Sequence, residues 1–226
     1  MQRPEAVLFD NDGTLVDTYD LILASFRHCT REVLGVELPE NELMSNQGQP
    51  LDVQMMHLSD DPEIRRLLLD SYRVHNHAHH DAAISAFPGV REGLARLADA
   101  GISLGVVTSK THWLAQRGFK ILGLDGFFSA LVGREDTARH KPDSEPVAYG
   151  AALLGIDPRR CVYVGDSPFD VQAGRAAHAA TIAVSWGSFS RERLEAEHPD
   201  AICDTFDELA DIVLAGFPRH GEEERE

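Results

Sequence analysis

Five short runs rich in Val, Ile and Leu punctuate the chain: AVLF (6–9), SLGVVT (103–108), ALVG (130–133), CVYVG (161–165) and TIAV (181–184). Short apolar runs of this kind read as strands buried on both faces. Between most of them lie segments with helical patterning: 90–100 (VREGLARLADA), 113–122 (WLAQRGFKIL), 145–154 (EPVAYGAALL) and 170–177 (DVQAGRAA). Strand and helix in alternation predict an α/β fold with a doubly wound, Rossmann-like parallel sheet and helices on both faces. FDELADIVLAG, residues 206–216, reads as a last covering helix.

One stretch breaks the alternation. Residues 18–82 hold two helical patterns, LILASFRHCTREVL (21–34) and PEIRRLLLDSYRVHNHAHH (62–80), with no convincing strand between them. An all-helical insert after the first strand predicts a small α-helical cap domain over 18–82. The α/β core then comprises 1–17 and 83–226, with FPGV (87–90) marking re-entry. At 226 residues the chain is long enough for both.

Charge narrows the partners. Lys and Arg number 21 against 37 Asp and Glu, a formal net charge of -16. That balance argues against nucleic acid and anionic membrane, whose binding needs clustered cations. An anionic small substrate would need a local cationic site, metal included. The N-terminus runs almost directly into the first strand and leaves no room for a signal peptide. No apolar run approaches the roughly 20 residues that span a bilayer. The three cysteines, Cys29, Cys161 and Cys203, form no CxxC and read as buried free thiols in a reducing cytoplasm. A cytoplasmic monomer or homodimer is expected. The terminal EEERE reads as a solvated, frayed end.

The costliest feature is FDNDGTLVDT (9–18), which sets Asp10, Asp12 and Asp17 just past the first strand. Two unit charges about 4 Å apart repel by roughly 4 kcal/mol at an effective dielectric near 20. In doubly wound sheets, ligands bind at the carboxyl ends of the strands. Asp10 and Asp12, two residues apart on extended chain, can face one site. Asp166, after CVYVG, can meet them from a neighbouring strand. A hard divalent cation such as Mg²⁺, which takes oxygen ligands, would offset that charge and attract an anionic substrate. The bland alternative makes these residues turns and helix caps, and it is preferred for Asp17, Asp143 and Ser167.

The ordered set DNDGTLVDT, VVTSK, HKPDSEP and VGDSPFD resembles the four motifs of the haloacid dehalogenase-like (HAD) phosphohydrolases. By that resemblance Asp10 is the nucleophile that forms an aspartyl-phosphate, and Asp12 the general acid and then base. Asp10, Asp166 and the backbone carbonyl of Asp12 would hold Mg²⁺. Thr108 would bind phosphoryl oxygens with Ser109 as helper, and Lys141 would offset charge. Asp170 would orient the site from outside the metal's ligands, and Gly13 and Thr14 would shape a turn whose N–H groups approach phosphate. Asp12 separates the chain from dehalogenases of this superfamily, which lack an acid there. The loop SNQGQPLDVQ (45–54) lacks the basic Gly-x-Ser-Arg-like element of phosphoglucomutases, which favours hydrolysis.

SYRVHNHAHHD (71–81) resembles a stretch of the bacterial HAD-type inorganic pyrophosphatases, and NQGQPLDVQ their Gly-x-Pro-Leu loop, shared with phosphoglycolate phosphatases. Gln49, Arg73, Asn76, His77 and His80 are therefore expected to choose the substrate, the last four from one broad helix face. A solvated histidine-rich helix end, and a zinc site through His75 and His79, are the competing readings. The substrate expected first is pyrophosphate, then phosphoglycolate or another small phosphomonoester. A mutase or a catalytically silent regulatory module remains as rival. His178 stands where relatives carry glycine, so a left-handed backbone there would cost about 1 kcal/mol.

Overall fold

The computed structural model describes residues 3–216; the EEERE tail lies outside them. After β1 (Ala6–Phe9) and β2 (Val16–Asp17) come α1 (Tyr19–Leu34), α2 (Glu40–Leu43), α3 (Leu51–Met56) and α4 (Pro62–Ala83). There follow β3 (Ser85–Ala86), α5 (Val90–Asp99), β4 (Ser103–Val107), α6 (His112–Leu122), β5 (Ala130–Val132) and α7 (Glu145–Leu153). The chain continues through β6 (Cys161–Gly165), α8 (Pro168–Ala176), β7 (Ala180–Val184), α9 (Arg191–Glu195), β8 (Ala201–Cys203) and α10 (Phe206–Ala215).

Six strands form one parallel sheet in the order β5-β4-β1-β6-β7-β8. Every residue of β1 is fully buried, because alternate side chains enter opposite layers. Val7 and Phe9 join the cluster under α5, α6 and α10, where Phe9 stacks on Phe206 at 5.9 Å. Ala6 and Leu8 join the cluster with Val147 of α7 and Ala173 of α8. The strand order runs outward from β1 in both directions, so the sequence passes its switch point there. Register does the rest: Phe9 pairs with Val106 on one side and Val164 on the other. Asp10, Thr108 and Asp166 therefore leave the sheet side by side at its carboxyl edge.

Residues 19–83 are helical, with an apolar cluster of their own formed mainly by α1 and α4, including Phe26, Leu68 and Tyr72. Phe26 meets Tyr72 edge-on at 4.9 Å. Gly35 ends α1 at φ 70, its N–H donating to Arg31 O, and Asp61 caps α4 ahead of Pro62. The short β2 and β3 pair antiparallel, Val16 with Ala86 and Asp17 with Ser85, and close the neck of this segment. These two strands, β8, α2, α3 and α9 are additions to what the sequence shows; each is too short to show a period.

His178 does adopt φ 62, the left-handed conformation anticipated for it. The three cysteines are free and buried, and burial pushes each thiol up to about 12. Among the described residues, no helix is long and apolar enough to cross a membrane.

Candidate active site

At the carboxyl edge of the sheet, Asp10, Lys141, Asp166 and Asp170 are each at most 3% exposed. Lys141 Nζ bridges two carboxylates, 3.0 Å from Asp10 Oδ2 and 2.6 Å from Asp170 Oδ1. Tyr163 OH adds a hydrogen bond to the same Asp170 oxygen at 3.0 Å. The other oxygen of Asp170 accepts from Ser167 N–H and Oγ–H, and Ser167 caps α8 in return. Asp170 is thus fully engaged in holding Lys141 and the loop.

Asp166 is held differently. Its Oδ1 accepts from Thr14 Oγ1 at 3.3 Å and its Oδ2 from Ser188 N–H at 2.9 Å. Gly13, at φ +82, passes so close that a Cβ there would sit 2.3 Å from Asp166 Oδ2. In the turn whose N–H groups are expected to approach phosphate, those of Gly13 and Thr14 themselves are already engaged. Both donate within their own turn, to Val16 O and Asn11 O, and the turn positions Asp166 instead.

One charge is unanswered. Ligand atoms of Asp10, Asp166 and Asp170 lie within 4.8 Å of one another, and Asp10 Oδ1 has no hydrogen-bond partner among the described residues. Burial, only partly opposed by Lys141, pushes Asp10 up to about 7. Burial, with Asp170 and Asp10 adding to it, pushes Asp166 up to about 8. Carboxylates so buried, with an orphaned oxygen, suit a hard cation bound between Asp10 and Asp166.

Asp12, like Asp10, lines a cavity of about 110 Å³. Drug-sized ligands occupy about 300–1,000 Å³, so this one admits only a small molecule. Lys110 Nζ lies 2.8 and 3.1 Å from the two Asp12 oxygens, and Thr18 Oγ1 donates at 2.9 Å. Burial alone would raise the Asp12 carboxyl, but Lys110, Thr18 and Asn11 together hold it below the ordinary carboxylate value. Lys110 ends the stretch VVTSK, and its two-residue step from Thr108 is the sequence signal that places it at this site. Thr108 and Ser109 line the cavity too. Ser109 Oγ donates to Gly48 O at 2.7 Å, so its proton is committed to the loop before α3.

From the helical segment, Gln49, Arg73, Asn76 and His77 reach the cavity wall, and His80 does not. His80 is 1% exposed and packs by Gly118 with Nδ1 3.0 Å from Asp81 Oδ1. Seven residues of helix carry it roughly 10 Å beyond Arg73. His75 and His79 stack at 4.3 Å, and His75 stacks on His28 at 4.7 Å. Face-to-face rings do not converge on a common ion, and among the described residues only the aspartate group gathers metal-ligating atoms. Asp17 and Asp143 cap backbone N–H groups of Tyr19 and Glu145. Arg134, unremarked in the sequence, pairs through two hydrogen bonds with Asp52 across the cavity mouth.

Comparison with known proteins adds the following. Residues 7–184 match the family described as haloacid dehalogenase-like hydrolase. A Clostridium perfringens protein provisionally named pyrophosphatase PpaX is 40% identical over 209 residues, 92% of this chain and 97% of that one. Pyrophosphatase PpaX of Oceanobacillus iheyensis is 34% identical over 211 residues, 93% and 97% of the two chains. A Clostridium acetobutylicum structure described as a predicted phosphatase superposes with TM-score 0.86 at 26% identity, over 95% of this chain and all of that one.

Proposed function

The chain belongs to the haloacid dehalogenase-like hydrolase family, and on that footing we propose a Mg²⁺-dependent phosphohydrolase acting through an aspartyl-phosphate on Asp10. Inorganic pyrophosphate is the proposed substrate. The observation that carries the reading is the pairing of two halves: a buried Asp10–Lys141–Asp170 group with a free Asp10 oxygen, and beside it a small cavity carrying Arg73, Lys110 and Arg134.

Asp10 and Asp166, with the Asp12 carbonyl assigned by family resemblance, would hold Mg²⁺. The bound ion supplies positive charge for the phosphoryl oxygens and the nucleophile. Asp10 attacks phosphorus through a carboxylate oxygen; the O–P bond to the leaving group breaks as the aspartyl ester forms. Lys141, fixed by Asp170, Tyr163 and Asp10, keeps the nucleophile ionised and oriented. Asp12 then takes a proton from water, which opens the ester and returns Asp10 with release of phosphate. Almost all of this is positioning and electrostatics, as phosphoryl transfer demands.

The Lys110 contact favours an anhydride over an ester. Held ionised, Asp12 is ready as a base and poorly prepared as an acid. A departing phosphate tolerates that better than an alkoxide, which leaves only with a proton. The names of the curated relatives point the same way. Phosphoglycolate is the second reading, because Arg73 and Lys110 would suit its carboxylate equally.

Phosphate release with Mg²⁺ from pyrophosphate, phosphoglycolate and a panel of sugar and nucleoside monophosphates tests the reading, with Asp10→Asn as blank. Pyrophosphate should lead by tenfold or more in kcat/KM, and Asp10→Asn should release nothing above background. Release that survives in Asp10→Asn removes the nucleophile assignment. No release by the wild type revives the silent module, and isomerised product without phosphate the mutase.

A further inference from the structure

Gln47 was not among the residues singled out in the sequence, yet its position is unusual. It is 5% exposed and lines the same cavity as Asp10 and Asp12. Neither its Oε1 nor its Nε2 has a hydrogen-bond partner among the described residues. Two further acceptors in that cavity, Gln49 Oε1 and Gln54 Oε1, are buried and unpartnered there as well. Gln54 Nε2 donates to Gln49 O at 2.8 Å, which fixes its oxygen as the free end.

The loop that carries Gln47 is pinned to the sheet. Gly48 O accepts from Ser109 Oγ on one side. On the other, a Cβ at Gly48, whose φ is +94, would lie 2.8 Å from Ser167 Oγ. Within the loop, Gln47 N–H donates to Met44 O and Gln49 N–H to Asn46 O. The backbone that carries the carboxamide is therefore held at the cavity that Asp10 and Asp12 line. A buried amide left unpaired is destabilising, and sites that keep one are built to pair it with a ligand.

The polarity of the unpaired atoms says what the ligand must offer. Arg73 brings only donors and answers ionised oxygens, whereas Lys110 and Arg134 are already paired with Asp12 and Asp52. The three glutamines add three acceptors and one donor. A fully ionised phosphate or a carboxylate has no hydrogen to give those acceptors. A P–O–H beside a P–O oxygen matches one carboxamide edge, accepting from Nε2 and donating to Oε1.

We propose that Gln47 is a specificity-determining residue that binds the leaving group through both atoms of its carboxamide, selecting a group that carries an O–H, such as the hydrogen-phosphate end of pyrophosphate. The inference rests on the phosphohydrolase reading above and names the feature by which that site separates pyrophosphate from phosphoglycolate, whose distal carboxylate only accepts.

The test compares wild type with Gln47→Met and Gln47→Glu on pyrophosphate, glycerol 2-phosphate and p-nitrophenyl phosphate, whose aryl leaving group offers no O–H beyond the ester. For Gln47→Met, the kcat/KM ratio of the O–H-bearing substrate used by the wild type to the aryl ester should fall 10- to 100-fold. Gln47→Glu, isosteric but negative, should fall further. Melting without substrate adds an independent readout: Gln47→Met should match or exceed wild type, since it removes an unpaired buried amide. An unchanged ratio, an equal loss on all substrates, or a lowered melting temperature in Gln47→Met overturns the proposal. So does wild-type turnover of the aryl ester alone. Preference for glycerol 2-phosphate with the ratio still falling would sink pyrophosphate as substrate and uphold Gln47.

Discussion

Among the described residues Lys141 is the one cation paired with Asp10 and Asp170, so its removal should be felt by the fold before any chemistry. Its ammonium contacts Asp10 and Asp170, and all three side chains are buried. Lys141→Met keeps the stem and removes the charge, leaving both carboxylates buried without it. Breaking such a pair from one side costs about 3–5 kcal/mol. For a domain near this length, 1 kcal/mol moves the melting temperature by roughly 2–4 °C, so the fall should be about 6–20 °C. The assay is thermal melting in chelator, so that no divalent ion substitutes for the lysine. Its pH dependence has a definite sign: Asp10, already raised to about 7 by burial with the lysine beside it, is protonated in acid, so the loss should be larger at pH 8 than at pH 5. Asp170→Asn in the Lys141→Met background should return part of the loss, because one of the two stranded charges is gone. A fall of less than about 2 °C at pH 8, or additive losses in the double variant, would refute the counter-charge account.

Two other expectations follow from the same site. Asp10 and Asp166 are raised to about 7 and about 8, so the folded metal-free chain holds protons that the unfolded chain gives up near pH 4. Metal-free stability should therefore fall between about pH 4 and pH 8, and Mg²⁺ should raise the melting temperature more at pH 8 than at pH 5.5; equal increments would count against binding at these carboxylates. Lys110→Met removes the charge that holds Asp12 low, so the midpoint of the alkaline-rising limb of kcat should move to higher pH, and an unmoved midpoint would detach that limb from Asp12.

What the sequence made legible was the part whose signal is local. Buried parallel strands leave apolar runs, and the carboxylates at their ends stand out because water is the only cheap neighbour for them otherwise. Thus the sheet and the meeting of Asp10 with Asp166 could be drawn from the residues themselves, while Lys141 joined them only through the motif resemblance. Contacts made at long range left no such trace. Arg134 and Asp52 are separated by 82 residues and look like ordinary surface charges in sequence. Gln47 looks like a polar loop residue, and its burial depends on Ser109 and Ser167 pressing from two other loops. His80 shows the limit of helical periodicity, which assigns a face and is silent about how far along that face a cavity extends.

The stem made by β2 and β3 has a consequence for how this architecture diversifies. Asp17 and Ser85 sit opposite each other, so the segment from 19 to 83 starts and finishes at neighbouring points of the core. A replacement of any length with adjacent ends closes the same gap, provided it also answers the core groups that now meet the segment, Ser109 at Gly48 and Arg134 at Asp52. On the proposed function, phosphoryl-transfer machinery and leaving-group choice would then be inherited as separable modules, joined at two paired residues on each side. Exchange of the helical segment between relatives at Asp17 and Ser85 becomes a direct route for substrate preference to change hands while Asp10 and Lys141 stay where they are.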